Sequence, residues 1–73
     1  MIVDSENFII FIDEPDKDTT YVGKAPRGSN PANAVWQIKK VENISNTEAR
    51  ILWAEGDDGF KMVWNDRTLY TYK

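Results

Sequence analysis

The chain predicts a mainly β protein: a small antiparallel barrel or sandwich of about five strands, with one short helical turn near Phe60 to Trp64. Three observations lead there. β-Branched and aromatic residues gather in short runs, Gly, Pro, Asn and Asp separate those runs at hairpin spacing, and helical periodicity never extends past a turn or two.

The first run, Phe8-Ile-Ile-Phe-Ile12, ends at Asp13-Glu-Pro-Asp16, and its length and flanks predict a strand buried on both faces. Residues 13–18 read as a turn, after which Thr19-Thr-Tyr-Val22 resumes β-forming residues and completes a hairpin. Between Gly23 and Asn33 the density of glycine, proline, serine and asparagine predicts a long loop, a class of connection that is usually functional or held by a neighbour. Ala34-Val-Trp-Gln-Ile-Lys-Lys-Val41 then places Trp36 and Ile38 on one face of a half-buried strand and Val35, Gln37, Lys39 and Val41 on the other.

Beyond the turn at Glu42 to Thr47, Ala49, Ile51 and Trp53 share a face and Arg50 and Leu52 the opposite one, so a second hairpin is expected. Gly56-Asp-Asp-Gly59 signals a turn, and Phe60, Val63 and Trp64 follow at helical spacing, with Asp57 or Asp58 as a cap. Thr68-Leu-Tyr-Thr-Tyr72 reads as the closing strand. The expected core comprises Phe8, Ile10, Ile12, Val22, Trp36, Ile38, Ile51, Trp53, Phe60, Val63, Trp64 and Leu69, with Trp36 and Trp53 in cross-strand contact.

Composition bounds the chemistry. At 73 residues there is room for one domain, 1–73, and no second. Cysteine and histidine are both absent, which removes disulfides, thiolate nucleophiles, imidazole bases and nearly all zinc chemistry. Twelve acidic against nine basic residues give a net charge of −3, opposite to the positive field that nucleic-acid binding needs. The longest apolar run, Phe8 to Ile12, is far shorter than the roughly 20 residues of a bilayer-spanning helix, and Asp4 and Glu6 stand where a signal peptide carries basic residues. No cofactor, nucleic-acid or membrane partner is expected.

Clustered polar residues have plain readings. Glu55, Asp57 and Asp58 lack the alternating ligand spacing of a calcium loop and read as a solvated turn, as do Asp13, Glu14, Asp16 and Asp18. Lys24, Arg27, Lys39 and Lys40 beside Trp36 or Tyr21 read as an aromatic and basic surface for single-stranded nucleic acid, which the net charge opposes, or for anionic sugar, but lysines flanking strands more often guard edges against pairing. Arg67, three residues after Trp64, is placed to stack on its ring or to pair with Asp57 or Asp58 and so to brace the turn Gly56 to Gly59. No catalytic or metal-ligating residue is assigned.

One ordered series stands out: Tyr21-Val-Gly-Lys-Ala25, Gly28 in a loop, Ala34-Val-Trp-Gln-Ile-Lys-Lys-Val41, Ile51-Leu-Trp-Ala-Glu-Gly56, Phe60 to Trp64, Asp66-Arg67 and Leu69 to Tyr72. Across roughly residues 19–72 it resembles a family of small tailed-bacteriophage virion proteins with the pattern Y-[IV]-G-K-A, W-x-I-K-[KR]-[IV], W-A-x-G, F-x-x-[VI]-W-[DN]-x-R and L-x-Y. This chain departs from the commoner Trp-Asp-x-Arg with Trp64-Asn-Asp-Arg67, and its closing Leu69-Tyr-Thr-Tyr72 is more aromatic than usual. The resemblance implies a non-enzymatic structural subunit in many copies in the virion, assembled in the host cytoplasm and located in tail, fibre, collar, baseplate or capsid decoration. Homo-oligomerisation and contact with other virion proteins follow, with Lys24, Pro26, Arg27, Asn30, Pro31, Tyr70 and Tyr72 as expected interface residues. The alternative expectation is a small module binding glycan or a host surface through exposed tryptophan.

Overall fold

The computed structural model describes residues 7–73, so Asp4 and Glu6 lie outside the described residues. Five antiparallel strands form one sheet: β1 (Phe8–Asp16), β2 (Thr19–Pro26), β3 (Ala34–Asn43), β4 (Ala49–Trp53) and β5 (Met62–Val63). The order is β1-β2-β3-β4, with β5 on the N-terminal end of β3, and the sheet stays open instead of closing into a barrel.

Several boundaries differ from those expected. β1 runs through Pro15 to Asp16 because a register shift between Asp13 and Asp16 absorbs the proline, which leaves a turn of only Lys17 and Asp18. Gly23, Lys24, Ala25 and Pro26 continue β2, so the loop shrinks to residues 27–33. Thr68 to Tyr72 is not a strand; it makes a single bridge, Ala54 to Tyr72, and the fifth strand is the two-residue β5. The helical turn is a 3-10 turn at Trp64–Asp66, beginning where the expected one ends.

The buried core consists of Ala25, Trp36, Ile38, Ala54, Met62 and Trp64, all on or above one face of the sheet. Ile9, Phe11, Tyr21, Val35, Tyr70 and Tyr72 pack around it. Alternation along β1 therefore turns Ile9 and Phe11 inward and leaves Ile10 and Ile12 at 46% and 65% exposure, so β1 is buried on one face and not on both. Ile51, Phe60 and Leu69 are likewise exposed, and Phe8, Val22, Trp53 and Val63 are half-buried. The expected core thus mixed two faces. Register separates them: Trp53 lies opposite Lys39, on the other side of the sheet from Trp36, so the two indoles do not meet.

Trp36 instead meets Phe11, with ring centroids 4.8 Å apart, and Trp64, at 5.8 Å. Phe11 and Trp64 close the triangle edge-on at 5.7 Å. The rings fit because Gly23 lies directly beneath them. A Cβ there would sit 2.6 Å from Trp64 Cζ3 and 3.0 Å from Trp36 Cε3, well inside van der Waals contact.

Gly23→Ala is therefore expected to lower unfolding stability by about 2 kcal/mol through overpacking. Gly28→Ala has open space at the Cβ and only a positive φ to oppose it; it should cost about 1 kcal/mol. Chemical denaturation of both variants checks the order.

Candidate functional site

The sheet has two unlike faces, and the segment from Glu55 to the C-terminal end makes the difference. Its entry is a tight turn in which Glu55 and Gly56 both adopt positive φ, 54° and 69°, and the Asp57 N–H donates to the Ala54 carbonyl at 3.0 Å. From there the chain crosses the inner face as β5, the 3-10 turn and the tyrosine-rich end. Tyr70 accepts a 2.8 Å hydrogen bond from the Val63 N–H, and the Tyr72 hydroxyl donates to the Arg67 carbonyl at 2.7 Å.

Arg67 ties this cover to the sheet. Its Nε donates to Asp13 Oδ2 at 2.9 Å, Nη1 donates to the Trp64 carbonyl at 3.2 Å, and the guanidinium lies 4.6 Å above the Trp64 ring. The expected stacking on Trp64 is present; the carboxylate partner is Asp13 instead of Asp57 or Asp58, because the cover folds back over β1. Asp57 instead forms a 2.8 Å ion pair with Lys61 and accepts the Gly59 N–H at 2.7 Å, and these two contacts hold its carboxyl below the usual range.

The expected interface residues divide. Lys24 lies in β2 with its ammonium 4.6 Å from the Phe8 ring centroid, and Pro26 ends that strand. Arg27 is exposed in the turn that follows. Asn30 and Pro31 support the core: the Asn30 carbonyl accepts the Trp36 indole N–H at 3.1 Å, and the Pro31 carbonyl accepts the Asn65 N–H at 3.1 Å. Tyr70 and Tyr72 are engaged in the cover.

Among the described residues, no cover of comparable extent lies on the outer face. Cross-strand register aligns Ile12, Val22, Lys39 and Trp53 in one row and Thr20, Val41 and Ile51 in the next. At one corner Phe60 stacks on Phe8 at 5.6 Å, and Gln37 Nε2 donates to the Asp58 carbonyl at 2.7 Å. Lys39 leans over the Trp53 ring, 5.8 Å from its centroid. Ile10, Ile12 and Ile51 remain exposed, a grouping that the sequence encodes as odd and even positions but that reads as core until the register is known.

A depression of about 390 Å³ between the two hairpin ends is lined by Lys17, Asp18, Asn43, Ile44, Ser45 and Asn46. It works as a clamp: Asn43 Nδ2 donates to the Lys17 carbonyl at 2.9 Å and the Asn43 N–H to the Asp18 carbonyl at 2.9 Å. Nearby, Glu42 takes Arg50 at 2.8 Å and Lys40 at 3.1 Å, and these partners lower its carboxyl from the ordinary value. Such an arrangement fixes the strands at their hairpin ends. No family model, curated protein or solved structure matches the chain.

Burial raises the Tyr72 phenol above its ordinary value of 10.0, and the neighbouring Tyr21 and Tyr70 add to the shift. A raised value favours the protonated form in the folded state, so its contribution is intact below pH 10 and fades as pH rises beyond it. Thermal melts between pH 8 and 12 are expected to fall more gently for Tyr72→Phe than for the parent chain.

Proposed function

We propose that this chain is a non-enzymatic structural subunit of a tailed-bacteriophage particle, present in many copies and held by contacts with itself and with other virion proteins. The observation that carries this reading is the exposed apolar outer face, with Ile10, Ile12 and Ile51 each near or above half exposure on a domain of only 73 residues. A subunit that leaves such surface uncovered gains stability when a neighbour covers it.

The residues of the phage-like pattern support the same reading through the work they do. Gly23 lies beneath the indoles, Ala25, Trp36, Ile38, Ala54 and Trp64 are buried, Gly56 takes the positive φ of the turn, and Arg67 fastens the cover. These are the positions that specify a fold, as expected of a family defined by architecture and not by chemistry. Tail, fibre, collar, baseplate and capsid decoration are all positions that such a subunit fits.

Trp53 favours a second reading, a glycan-binding module, because it is the indole on the outer face while Trp36 and Trp64 are consumed in the core. Its fluorescence would then shift on glycan addition, and Trp53→Phe would abolish the shift.

Sedimentation at micromolar concentration and mass spectrometry of particles from the encoding phage check the main reading. Self-association and several copies per particle are the expected results. A chain that remains monomeric and is missing from purified particles would sink the proposal.

A further inference from the structure

The hydrogen bonds at the end of β1 determine which of its backbone groups point to β2 and which point away from it. The Arg27 N–H donates to the Asn7 carbonyl at 3.1 Å, in the same register that pairs Phe8 with Pro26 and Ile9 with Ala25. Hydrogen-bonded and non-hydrogen-bonded pairs alternate along an antiparallel ladder. Asn7, Ile9, Phe11 and Asp13 therefore turn their N–H and C=O toward β2, and Phe8, Ile10 and Ile12 turn theirs toward the edge away from β2. The other side of β2 confirms the phase: the Asn43 N–H donates to the Asp18 carbonyl, so the even-numbered residues of β2 bond β3 and the odd-numbered ones bond β1. Pro26, which has no N–H, falls opposite Phe8 in a pair that needs none.

Among the described residues β1 pairs with β2 alone. The far edge of the sheet differs. β4 has five residues, and at its end the Trp53 N–H and carbonyl already bond Lys73, at 3.2 and 3.1 Å, while the Glu55 N–H bonds the Thr71 carbonyl. β1 has nine residues, and the features that discourage edge pairing are confined to its second half: Asp13, Glu14, Pro15, Asp16 and the register shift. Its first half, Phe8 to Ile12, has none.

We infer that the Phe8–Ile12 edge of β1 joins two copies of this chain as antiparallel neighbours about a two-fold axis through paired Ile10 residues. This rests on the self-associating subunit proposed above and names its contact. In that register Phe8 lies opposite the second copy's Ile12, Ile9 opposite Phe11 and Ile10 opposite Ile10. Every edge-facing N–H and C=O of Phe8, Ile10 and Ile12 is bonded, and side chains stay on matching faces, so the outer apolar face runs on across the joint. Moving the axis toward Phe11 would set Asp13 opposite Ile9 and Glu14 opposite Phe8, whereas the Ile10 axis sets Asp13 opposite Asn7, beyond the apolar run. The partner is a second copy because the run is apolar along its whole length and thus complementary to its own reverse.

Cysteine is absent, so a single introduced thiol reports contact between copies directly. Facing residues of a hydrogen-bonded antiparallel pair have Cα atoms about 5.5 Å apart, within disulfide range. Under mild oxidation Ile10→Cys is expected to form covalent dimer roughly tenfold faster than Ile51→Cys on β4. Ile10→Pro removes an N–H that β2 does not use and Ile10→Lys sets like charges face to face; each should raise the self-dissociation constant about tenfold or more while circular dichroism stays unchanged.

If the parent chain self-associates but Ile10→Cys cross-links no faster than Ile51→Cys and neither Ile10 variant weakens association, the edge inference is overturned and the subunit reading stands. If Ile10→Pro abolishes particle incorporation without touching self-association, the edge belongs to another virion protein and self-pairing is overturned. A parent chain that is monomeric and missing from particles removes both.

Discussion

The packing of Trp36, Trp64 and Phe11 over Gly23 is the contact on which the rest of this structure depends. Trp64 arrives from the far end of the chain, and it can lie on the sheet only where β2 offers bare backbone. Once seated, it fixes the 3-10 turn, brings Arg67 over its ring and within 2.9 Å of Asp13, and places Tyr70 and Tyr72 at the margin of the core. With no cysteine and, among the described residues, no buried ion pair, a domain of this size relies on large rings that bury much area per residue.

That arrangement accounts for the asymmetry of the sheet. Residues 55–73, which follow β4, lie over one face. The molecule measures 35 × 32 × 20 Å, a thin slab consistent with one sheet and one layer of cover. The outer face is managed by other means. Lys24 and Lys39 lay their ammonium groups over Phe8 and Trp53, and Phe60 covers one corner, so the large rings there are shielded while the isoleucines stay open. Lysines that read as guards of strand edges act here across the face.

Much of the fold was legible in short-range pattern. Runs such as Phe8 to Ile12 and Ala34 to Val41 identify strands because side chains alternate with period two, and Lys17-Asp18 and residues 44–48 fall where hairpin turns were expected. Alternation sorts residues into two sets but does not say which set faces the core. For β3 the choice was evident, since Trp36 and Ile38 oppose Gln37 and Lys39. For β1 both sets are apolar, and for β4 the larger set, Ile51 and Trp53, faces outward. The best candidate surface was thus hidden among residues expected in the core, and the loop and tyrosines expected at the surface turned out to support the core through Asn30, Pro31, Tyr70 and Tyr72.

By itself the sequence determined the class and the chemistry: antiparallel β from the spacing of runs and turns, and no imidazole or thiol reaction from the absence of histidine and cysteine. Tertiary structure alone decided that the sheet stays open, that Gly23 is a seat for rings instead of a strand breaker, and that Arg67 pairs with Asp13, 54 positions away in the chain. The physical reason is range. Turn and strand preferences act between residues a few positions apart, whereas burial of one face is a competition among distant segments for the same surface, and it is settled only when the last of them, carrying Trp64, is in place.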